Sequence, residues 1–201
     1  MDDVNDLASS VFAMRLGTVP AVSPLGATAV DDDPFSVFAA WWREQNVPMV
    51  LATAGPTARA VVLETFDERG FVFWTSSESP KGRSLAADPS AALVWLWDGR
   101  QARVEGRVEP VSDEEDERHW QQREGKRQLA AFRQSEPIES REALNERLAA
   151  VPEAPERPSF WRGYRVLPER FEFWTAQEDY VHDRFEYLRS GDGWRRRRLQ
   201  P

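Results

Sequence analysis

The sequence predicts a small antiparallel β-barrel with peripheral α-helices, a mainly β fold. Many short apolar segments are separated by turn residues, while few segments show helical spacing. Residues 101–109 alternate strictly between polar side chains and small or apolar ones, as a half-buried antiparallel strand does. With 201 residues, the chain is long enough for one domain with a sizeable core. We therefore expect one barrel domain over residues 33–201, preceded by a mobile arm over residues 1–32.

The first elements are predicted from their start signals. Asp33 is a candidate cap and Pro34 suits a first helical turn, so a helix is expected to begin there. Its aromatic face would hold Phe35, Phe38, Trp41 and Trp42. The connection at residues 67–70 is typical of a tight hairpin, in which Gly70 takes a positive φ. Strands are expected at residues 49–53, 59–63, 71–75, 91–97 and 101–109.

The helices of the second half are also marked by caps. Ser112 and Glu115 have the spacing of a capping box, which predicts a helix to about Arg123. Further helices are expected at residues 81–87 and 140–150. The closing strands are predicted at residues 164–166 and 171–174 and near Trp194.

Composition excludes several classes of function. A net charge of −8 argues against nucleic acid as the main partner, and we interpret Arg195–Arg198 as a solvated strand end or a contact to an acidic subunit. The absence of cysteine excludes disulfides and thiolate chemistry, and two histidines make a zinc site of usual composition unexpected, so no metal is predicted. The start of the chain has neither the basic region nor the apolar stretch of a signal peptide, and no segment has the roughly 20 apolar residues of a membrane span, so we expect a cytoplasmic protein.

Two basic residues stand where an anion could bind. Lys81 opens a predicted helix, and backbone N–H groups at a helix start together with a lysine suit a phosphate. Arg59 begins a strand, where it could bind an anion or form a surface salt bridge. The chain has no Gly-x-Gly-x-x-Gly motif, so a Rossmann-type dinucleotide site is not expected.

The amino-acid sequence of this region resembles that of one enzyme family. Residues 59–64, 67–75 and 79–83 together resemble the pyridoxamine 5′-phosphate oxidases, which are FMN proteins of the split-barrel fold, and the resemblance extends from Asp33 to Pro201. It implies a Greek-key-like antiparallel split barrel and a homodimer with FMN at the subunit interface. The cofactor contacts that it implies are Arg59, Ala60, Val61, Val62, Leu63, Trp74, Thr75, Lys81, Gln101, Gln134, Ser135, Trp174 and Arg184.

Some of these positions depart from the family's pattern. The family has Arg-Lys where this chain has Pro80-Lys81, so one phosphate contact is missing. Gln134 and Ser135 match a pair that reaches the phosphate from the partner subunit, but the spacing before them is two residues shorter. Trp174 could instead be a core aromatic residue, so its role rests on the resemblance.

The positions that hold the substrate depart further. The resemblance assigns six residues to this role: Glu64, His119, Arg123, Arg127, Tyr180 and His182. Of these, Glu64 replaces a lysine, His119 a tyrosine, Arg127 a serine and Tyr180 an arginine. His182 and Arg184 are the candidate catalytic residues: His182 would contact the substrate or accept a proton, unless it is a structural histidine, and Arg184 would stabilise the reduced flavin.

Three functions follow as hypotheses. The first is an FMN-dependent oxidase that removes two electrons from a reduced nitrogen heterocycle, with O₂ as acceptor giving H₂O₂. The chain resembles a branch of the family that works in phenazine biosynthesis, so a dihydrophenazine-type intermediate of natural-product biosynthesis is the leading substrate. The second is a divergent pyridoxamine/pyridoxine 5′-phosphate oxidase of vitamin B6 metabolism, and the third is a non-catalytic FMN-binding protein. The aromatic residues Trp74, Trp95, Trp97 and Trp120 suit a flat polycyclic substrate or equally a subunit interface.

Overall fold

The structure is a computed structural model that describes residues 31–44, 47–97, 99–132 and 134–201. These residues form five helices: α1 (Pro34–Glu44), α2 (Pro80–Ala87), α3 (Asp113–Gln122), α4 (Lys126–Ala131) and α5 (Arg141–Ala149). They form nine strands: β1 (Met49–Thr53), β2 (Thr57–Val61), β3 (Thr65–Asp67), β4 (Gly70–Ser76), β5 (Ser90–Trp97), β6 (Arg100–Pro110), β7 (Trp161–Thr175), β8 (Asp183–Ser190) and β9 (Gly193–Arg198).

The strands form one curled antiparallel sheet. Its order is β2-β1-β5-β6-β7-β4-β3, and β8 and β9 continue from β7 beyond this path. Every strand pairing is antiparallel. The sheet encloses an aromatic core on one side and leaves β2 at an edge. This architecture confirms the predicted mainly β fold with peripheral helices.

Most of the aromatic side chains fill the core. Helix α1 places Phe38 at 4.7 Å from Trp95 and 4.8 Å from Phe71, measured between ring centroids. Trp41 on the same helix lies 5.2 Å from Phe173. Edge-to-face pairs of this kind add to the stability that burial of large apolar surface provides. The high aromatic content is therefore mainly a property of the core.

Strand β7 differs from the prediction of two separate strands at residues 164–166 and 171–174. It is continuous over 15 residues although it contains Pro168, which cannot donate a backbone hydrogen bond to a neighbouring strand. Pro168 pairs with Gly106, beside a register shift between Glu105 and Gly106 in β6. A Cβ at Gly106 would collide with the Leu167 carbonyl, so glycine permits the close approach at this irregularity. The bulge thus accommodates the proline without ending the strand.

Other elements were displaced or missed. Strand β2 spans Thr57–Val61 rather than residues 59–63, and β3, β8 and α4 were not predicted. Gly70 does take a positive φ of 146° at the β3–β4 hairpin, as expected. The predicted caps are confirmed: Asp33 accepts hydrogen bonds from the first turn of α1, and Ser112 and Glu115 form the capping box of α3.

The ends of the described chain are held by contacts with β8 and β9. The Tyr187 hydroxyl donates to the Asp31 carbonyl at 2.7 Å, so the last residues of the predicted arm are attached to the sheet. The rest of that arm, residues 1–30, lies outside the described residues. Within the basic run, Arg197 pairs with Glu186 and Arg198 with Asp183 in the same chain. None of the helices in the described ranges is long and apolar enough to cross a membrane.

Candidate active site

A cluster of polar side chains lies where β4 ends and α2 begins. The Lys81 ammonium and the Thr75 hydroxyl both donate to Oε1 of Gln134, each at 2.9 Å. Ser79 caps α2 by accepting from the Gly82 N–H at 3.2 Å. The predicted contacts Thr75, Lys81 and Gln134 are therefore brought together within a single chain. The expectation that Gln134 reaches this place from a partner subunit does not agree with these contacts.

Arg59 adds a second positive charge to this cluster. Its guanidinium donates to the Leu51 carbonyl at 3.2 Å and to the Thr53 hydroxyl at 3.1 Å, which directs it back across β1. Burial lowers the pKa of Lys81, and repulsion from Arg59 lowers it further. Within the described ranges, neither cation forms an ion pair with a carboxylate. Two close, partly buried cations without acidic partners suit a bound anion such as a phosphate.

The neighbouring backbone is also available to a ligand. Strand β2 is an edge strand, so one side of its backbone is not paired with another strand. Ala60 and Val62 are exposed and Val61 is half-buried, whereas the Leu63 side chain lies in the core. Leu63 could therefore contact a cofactor only through its backbone. Ser135, beside Gln134, is exposed and has a φ of 68°.

A second group of predicted contacts lies on β6, β7 and β8. Gln101 pairs with Trp174, and Trp174 pairs with Arg184, so the three side chains are neighbours on one face. His182 lies edge-on to Trp174, with 4.9 Å between ring centroids. The backbone N–H of Gln177 donates to Nδ1 of His182 at 3.1 Å. This hydrogen bond assigns the neutral imidazole proton to Nε2, which leaves His182 as a donor at its other edge.

The two groups lie at opposite ends of β7. Trp74, beside Thr75, pairs with Gly163 near the start of β7, while Gln101 pairs with Trp174 near its end. These positions are eleven residues apart, a length of roughly 36 Å along the strand at about 3.3 Å per residue. One chain therefore carries two separate halves of the predicted cofactor site.

The substituted substrate positions form a third cluster. Arg123 donates to Oε1 of Glu64 at 2.8 Å, and Nε2 of His119 lies 3.9 Å from the same oxygen. His119 and Arg123 lower the pKa of the Glu64 carboxyl, against the effect of its burial. The His119 ring stacks on Trp74 with 3.9 Å between centroids and 4° between planes. Glu64, His119 and Arg123 are thus brought together as the resemblance implied. The negative charge of Glu64 balances the positive charge of Arg123.

Two further residues hold Trp74 in place, and neither role was apparent from sequence patterns. Oδ1 of the fully buried Asp116 accepts from the Trp74 indole at 2.9 Å and from the Gly163 N–H at 2.6 Å. Burial raises the pKa of Asp116, although these hydrogen bonds and nearby arginines oppose the shift. A Cβ at Gly163 would lie 2.7 Å from the indole ring, so glycine allows Trp74 to lie across β7. The first turn of α3 reads as a solvated acidic surface in sequence, which concealed Asp116.

Arg127 and Tyr180 do not join the Glu64 cluster. The Arg127 guanidinium donates to Glu153 at 2.8 Å and to the Leu148 carbonyl at 3.2 Å. Tyr180 is 79% exposed with a φ of 62°, and its ring centroid lies 6.1 Å from that of His182. The suggestion that Trp95, Trp97 and Trp120 line a substrate site is wrong, because all three are buried: Trp95 and Trp97 in the core, and Trp120 against the Pro155 carbonyl.

Comparison with known proteins now settles the family. Residues 37–153 match the family model described as pyridoxamine 5′-phosphate oxidase, and residues 161–201 match the pyridoxine 5′-phosphate oxidase C-terminal dimerisation region. The chain belongs to the pyridoxamine 5′-phosphate oxidase family. The recognition made from sequence is thereby confirmed, together with the broad prediction of an oxidoreductase.

Relatives within the family carry the vitamin oxidase name. A pyridoxine/pyridoxamine 5′-phosphate oxidase of Rubrobacter xylanophilus is 46% identical over 197 residues, covering 88% of this chain and 91% of the relative. One of Myxococcus xanthus is 47% identical over 166 residues, covering 76% of this chain and 81% of the relative.

Solved structures share the fold. PhzG from Burkholderia lata 383, crystallised with tetrahydrophenazine-1-carboxylic acid, superposes with a TM-score of 0.83 at 30% identity, covering 92% of this chain and 100% of that chain. An FMN binding protein from Nostoc punctiforme superposes with a TM-score of 0.71 at 18% identity, covering 86% of this chain and 100% of that chain, which shows the fold alone. The split-barrel prediction is confirmed, and the prediction of FMN agrees with these comparisons.

Proposed function

We propose that this pyridoxamine 5′-phosphate oxidase family member is an FMN-dependent oxidase whose substrate is a reduced nitrogen heterocycle without a phosphate group. A dihydrophenazine-type carboxylate from natural-product biosynthesis is the leading candidate, with O₂ as acceptor and H₂O₂ as product. The observation that carries the proposal is the ion pair between Glu64 and Arg123, two positions that the family resemblance assigns to substrate binding.

The residues present fit FMN. Arg59, Thr75 and Lys81 offer donors and two positive charges to the phosphate, and the amide group of Gln134 can rotate to donate as well. At the other end of β7, Gln101 and Trp174 suit the flat ring system. FMN, when bound, supplies the two-electron acceptor.

The separation of these two groups along β7 supports a homodimer in which each FMN lies between subunits. The phosphate cluster would come from one chain and the β6–β7–β8 group from its partner. The match of residues 161–201 to a dimerisation region supports the same assembly, since this range holds β7, β8 and β9. Such a dimer would contain two equivalent sites related by a two-fold axis.

The charges around the substrate position argue against a phosphate dianion. Arg123 is compensated by Glu64 and Arg127 by Glu153, so neither guanidinium is fully available. A carboxylate has a smaller charge than a phosphate dianion and is therefore repelled less by Glu64. An open depression of about 290 Å³ lies beside the Arg127–Glu153 ion pair. It is lined by Arg123, Gly125, Lys126, Arg127, Gln128 and Glu153. Its basic side chains could hold such a carboxylate.

His182 would contact the substrate through Nε2. Because Nδ1 accepts from the Gln177 N–H, the neutral ring presents an N–H donor, which suits an acceptor nitrogen or oxygen of the substrate. Arg184 would supply positive charge at the ring edge of FMN that becomes negative on reduction. Trp74 and the stacked His119 would form one flat wall of the substrate pocket.

Anaerobic mixing of the FMN-loaded protein with candidate substrates tests the proposal. A reduced phenazine carboxylate should bleach the flavin absorbance rapidly, whereas pyridoxine 5′-phosphate and pyridoxamine 5′-phosphate should not. Subsequent admission of O₂ should restore the absorbance with one H₂O₂ per flavin. A protein that takes up FMN but whose flavin is bleached by none of these substrates would favour the non-catalytic FMN-binding protein, and failure to take up FMN would refute the oxidase.

A pyridoxamine/pyridoxine 5′-phosphate oxidase is the second candidate. It is favoured by the relatives that carry this name at 46% and 47% identity, compared with 30% for PhzG. Rapid bleaching by either vitamin phosphate at low micromolar concentration would establish this function instead.

A further inference from the structure

Seven charged side chains form a continuous network on the outer face of β6, β7, β8 and β9. This charged network consists of Arg103, Glu105, Arg170, Glu172, Arg184, Glu186 and Arg197. Its four arginines exceed its three glutamates by one positive charge. Glu172 and Glu186 are both 2% exposed, so the side chains around them shield these two carboxylates from water.

Glu172 is the member that connects this network to the predicted cofactor contacts. Its Oε1 accepts from both Nε and Nη2 of Arg184, at 3.1 Å and 2.6 Å. Its Oε2 accepts from Arg103 at 2.7 Å and from Arg170 at 3.3 Å. All three arginines therefore converge on one buried carboxylate.

The geometry of Arg184 leaves one part of its guanidinium for another partner. Nε and Nη2 are both directed at Glu172, while Nη1 makes only a 3.4 Å contact with the Gln200 carbonyl. Arg184 pairs across the strands with Trp174, and Trp174 with Gln101, so Nη1 lies on the face that carries the predicted flavin contacts. Glu172 thus fixes which edge of the guanidinium is presented.

We propose that Glu172 is a positioning residue that orients Arg184 and sets the positive charge that Arg184 presents to the ring edge of FMN. The inference rests on the proposed FMN site and adds a determinant of the flavin's reduction potential. A carboxylate beside Arg184 offsets part of its positive charge. Since the reduced ring edge is negative, Glu172 lowers the stabilisation of reduced FMN relative to oxidised FMN.

The Glu172→Gln variant isolates this charge. Glutamine has nearly the same shape, and its amide oxygen can still accept from Arg184, but the negative charge is lost. The ratio of the affinities for reduced and oxidised FMN should rise about tenfold, which corresponds to an increase of about 30 mV in the two-electron midpoint potential. The potential is read by anaerobic dye-equilibrated titration, independently of turnover.

Glu186→Gln is the matched control. Glu186 is the cross-strand partner of Glu172, is equally buried and pairs with Arg170 and Arg197, but it does not contact Arg184. The Glu186→Gln variant should lower thermal stability as Glu172→Gln does, and its midpoint potential should stay within a few millivolts of wild type. An equal potential shift in both variants would overturn the proposal, because the effect would then come from the network's total charge.

Arg103→Gln gives a second test with the opposite sign, at a side chain that is 32% exposed. With Arg103 removed, Glu172 offsets more of the charge on Arg184, so the midpoint potential should fall. If the midpoint potentials of Glu172→Gln and Arg103→Gln equal that of wild type while FMN binds normally, the proposed role of Glu172 is refuted and the proposed function is not. A wild-type protein that binds no FMN would refute the proposed function itself.

Discussion

Glu64→Gln is the change that most directly tests the substrate assignment. It removes one negative charge that lies 2.8 Å from the Arg123 guanidinium and frees Arg123 for an anionic ligand. Two unit charges about 4 Å apart interact by about 1 kcal/mol in water and about 4 kcal/mol at an effective dielectric constant of about 20. The Glu64 side chain is 26% exposed and that of Arg123 37%, so solvent screening places the effect in the lower half of this range.

The expected result is therefore a gain of about 1.4 kcal/mol or somewhat more, which is roughly a tenfold tighter complex with pyridoxine 5′-phosphate. Titration calorimetry on the FMN-loaded protein measures the dissociation constant. Glu68→Gln, at the exposed β3–β4 hairpin, removes the same charge elsewhere and should leave the constant unchanged. The double variant Glu64→Lys, Tyr180→Arg should strengthen vitamin-phosphate binding further and begin to restore its oxidation.

Two results would refute this reasoning. One is a Glu64→Gln protein whose affinity for pyridoxine 5′-phosphate stays within twofold of wild type. The other is a wild-type protein that already binds this ligand at low micromolar concentration, since Glu64 would then present no electrostatic barrier.

Three more predictions follow from the site. Lys81→Met should weaken FMN binding about 10- to 100-fold through loss of a charge-assisted contact, while Lys126→Met should not, as fluorescence titration would show. Because the pKa of Glu64 is lowered below 4.5, its stabilising effect is present above that pH and is lost as the pH falls through the lower folded value. The melting temperature of Glu64→Gln should therefore fall less than that of wild type on acidification; parallel curves would contradict it. Gly163→Ala should cost about 1–3 kcal/mol of unfolding free energy by displacing Trp74, and an unchanged near-ultraviolet circular dichroism spectrum would argue against this contact.

The sequence predicted the elements whose signals are local. Caps at Asp33 and Ser112, the turn at Gly70 and the alternation of β6 depend on neighbouring residues, and each was placed correctly. The continuity of β7 depends instead on Gly106, which lies on another strand opposite Pro168. Local reasoning sees only the proline and ends the strand there.

The candidate site was predictable to the extent that motif residues converge in the fold. The family motifs in the sequence predicted Lys81, Thr75 and Gln134 as contacts of one cofactor, and in the structure their side chains are hydrogen-bonded to one another. Glu172 alternates with Phe171 and Phe173 along its strand, a pattern that usually places the polar residue on a solvent-exposed face. It is buried because arginines from β6 and β8 cover it, and a contact between distant strands leaves no local signal.

The length of β7 has a consequence for how defects combine. If each subunit supplies its two strand ends to two different sites, a lesion at one end damages one site and a lesion at the other end damages the second. Lys81→Met and Arg184→Ala subunits, each with two damaged sites in its own homodimer, would then assemble into a mixed dimer with one undamaged site and one doubly damaged site. Random reassortment of equal amounts would restore roughly a quarter of the sites. The two impaired variants would therefore restore part of each other's activity. Such complementation does not occur in enzymes whose active sites lie within one chain.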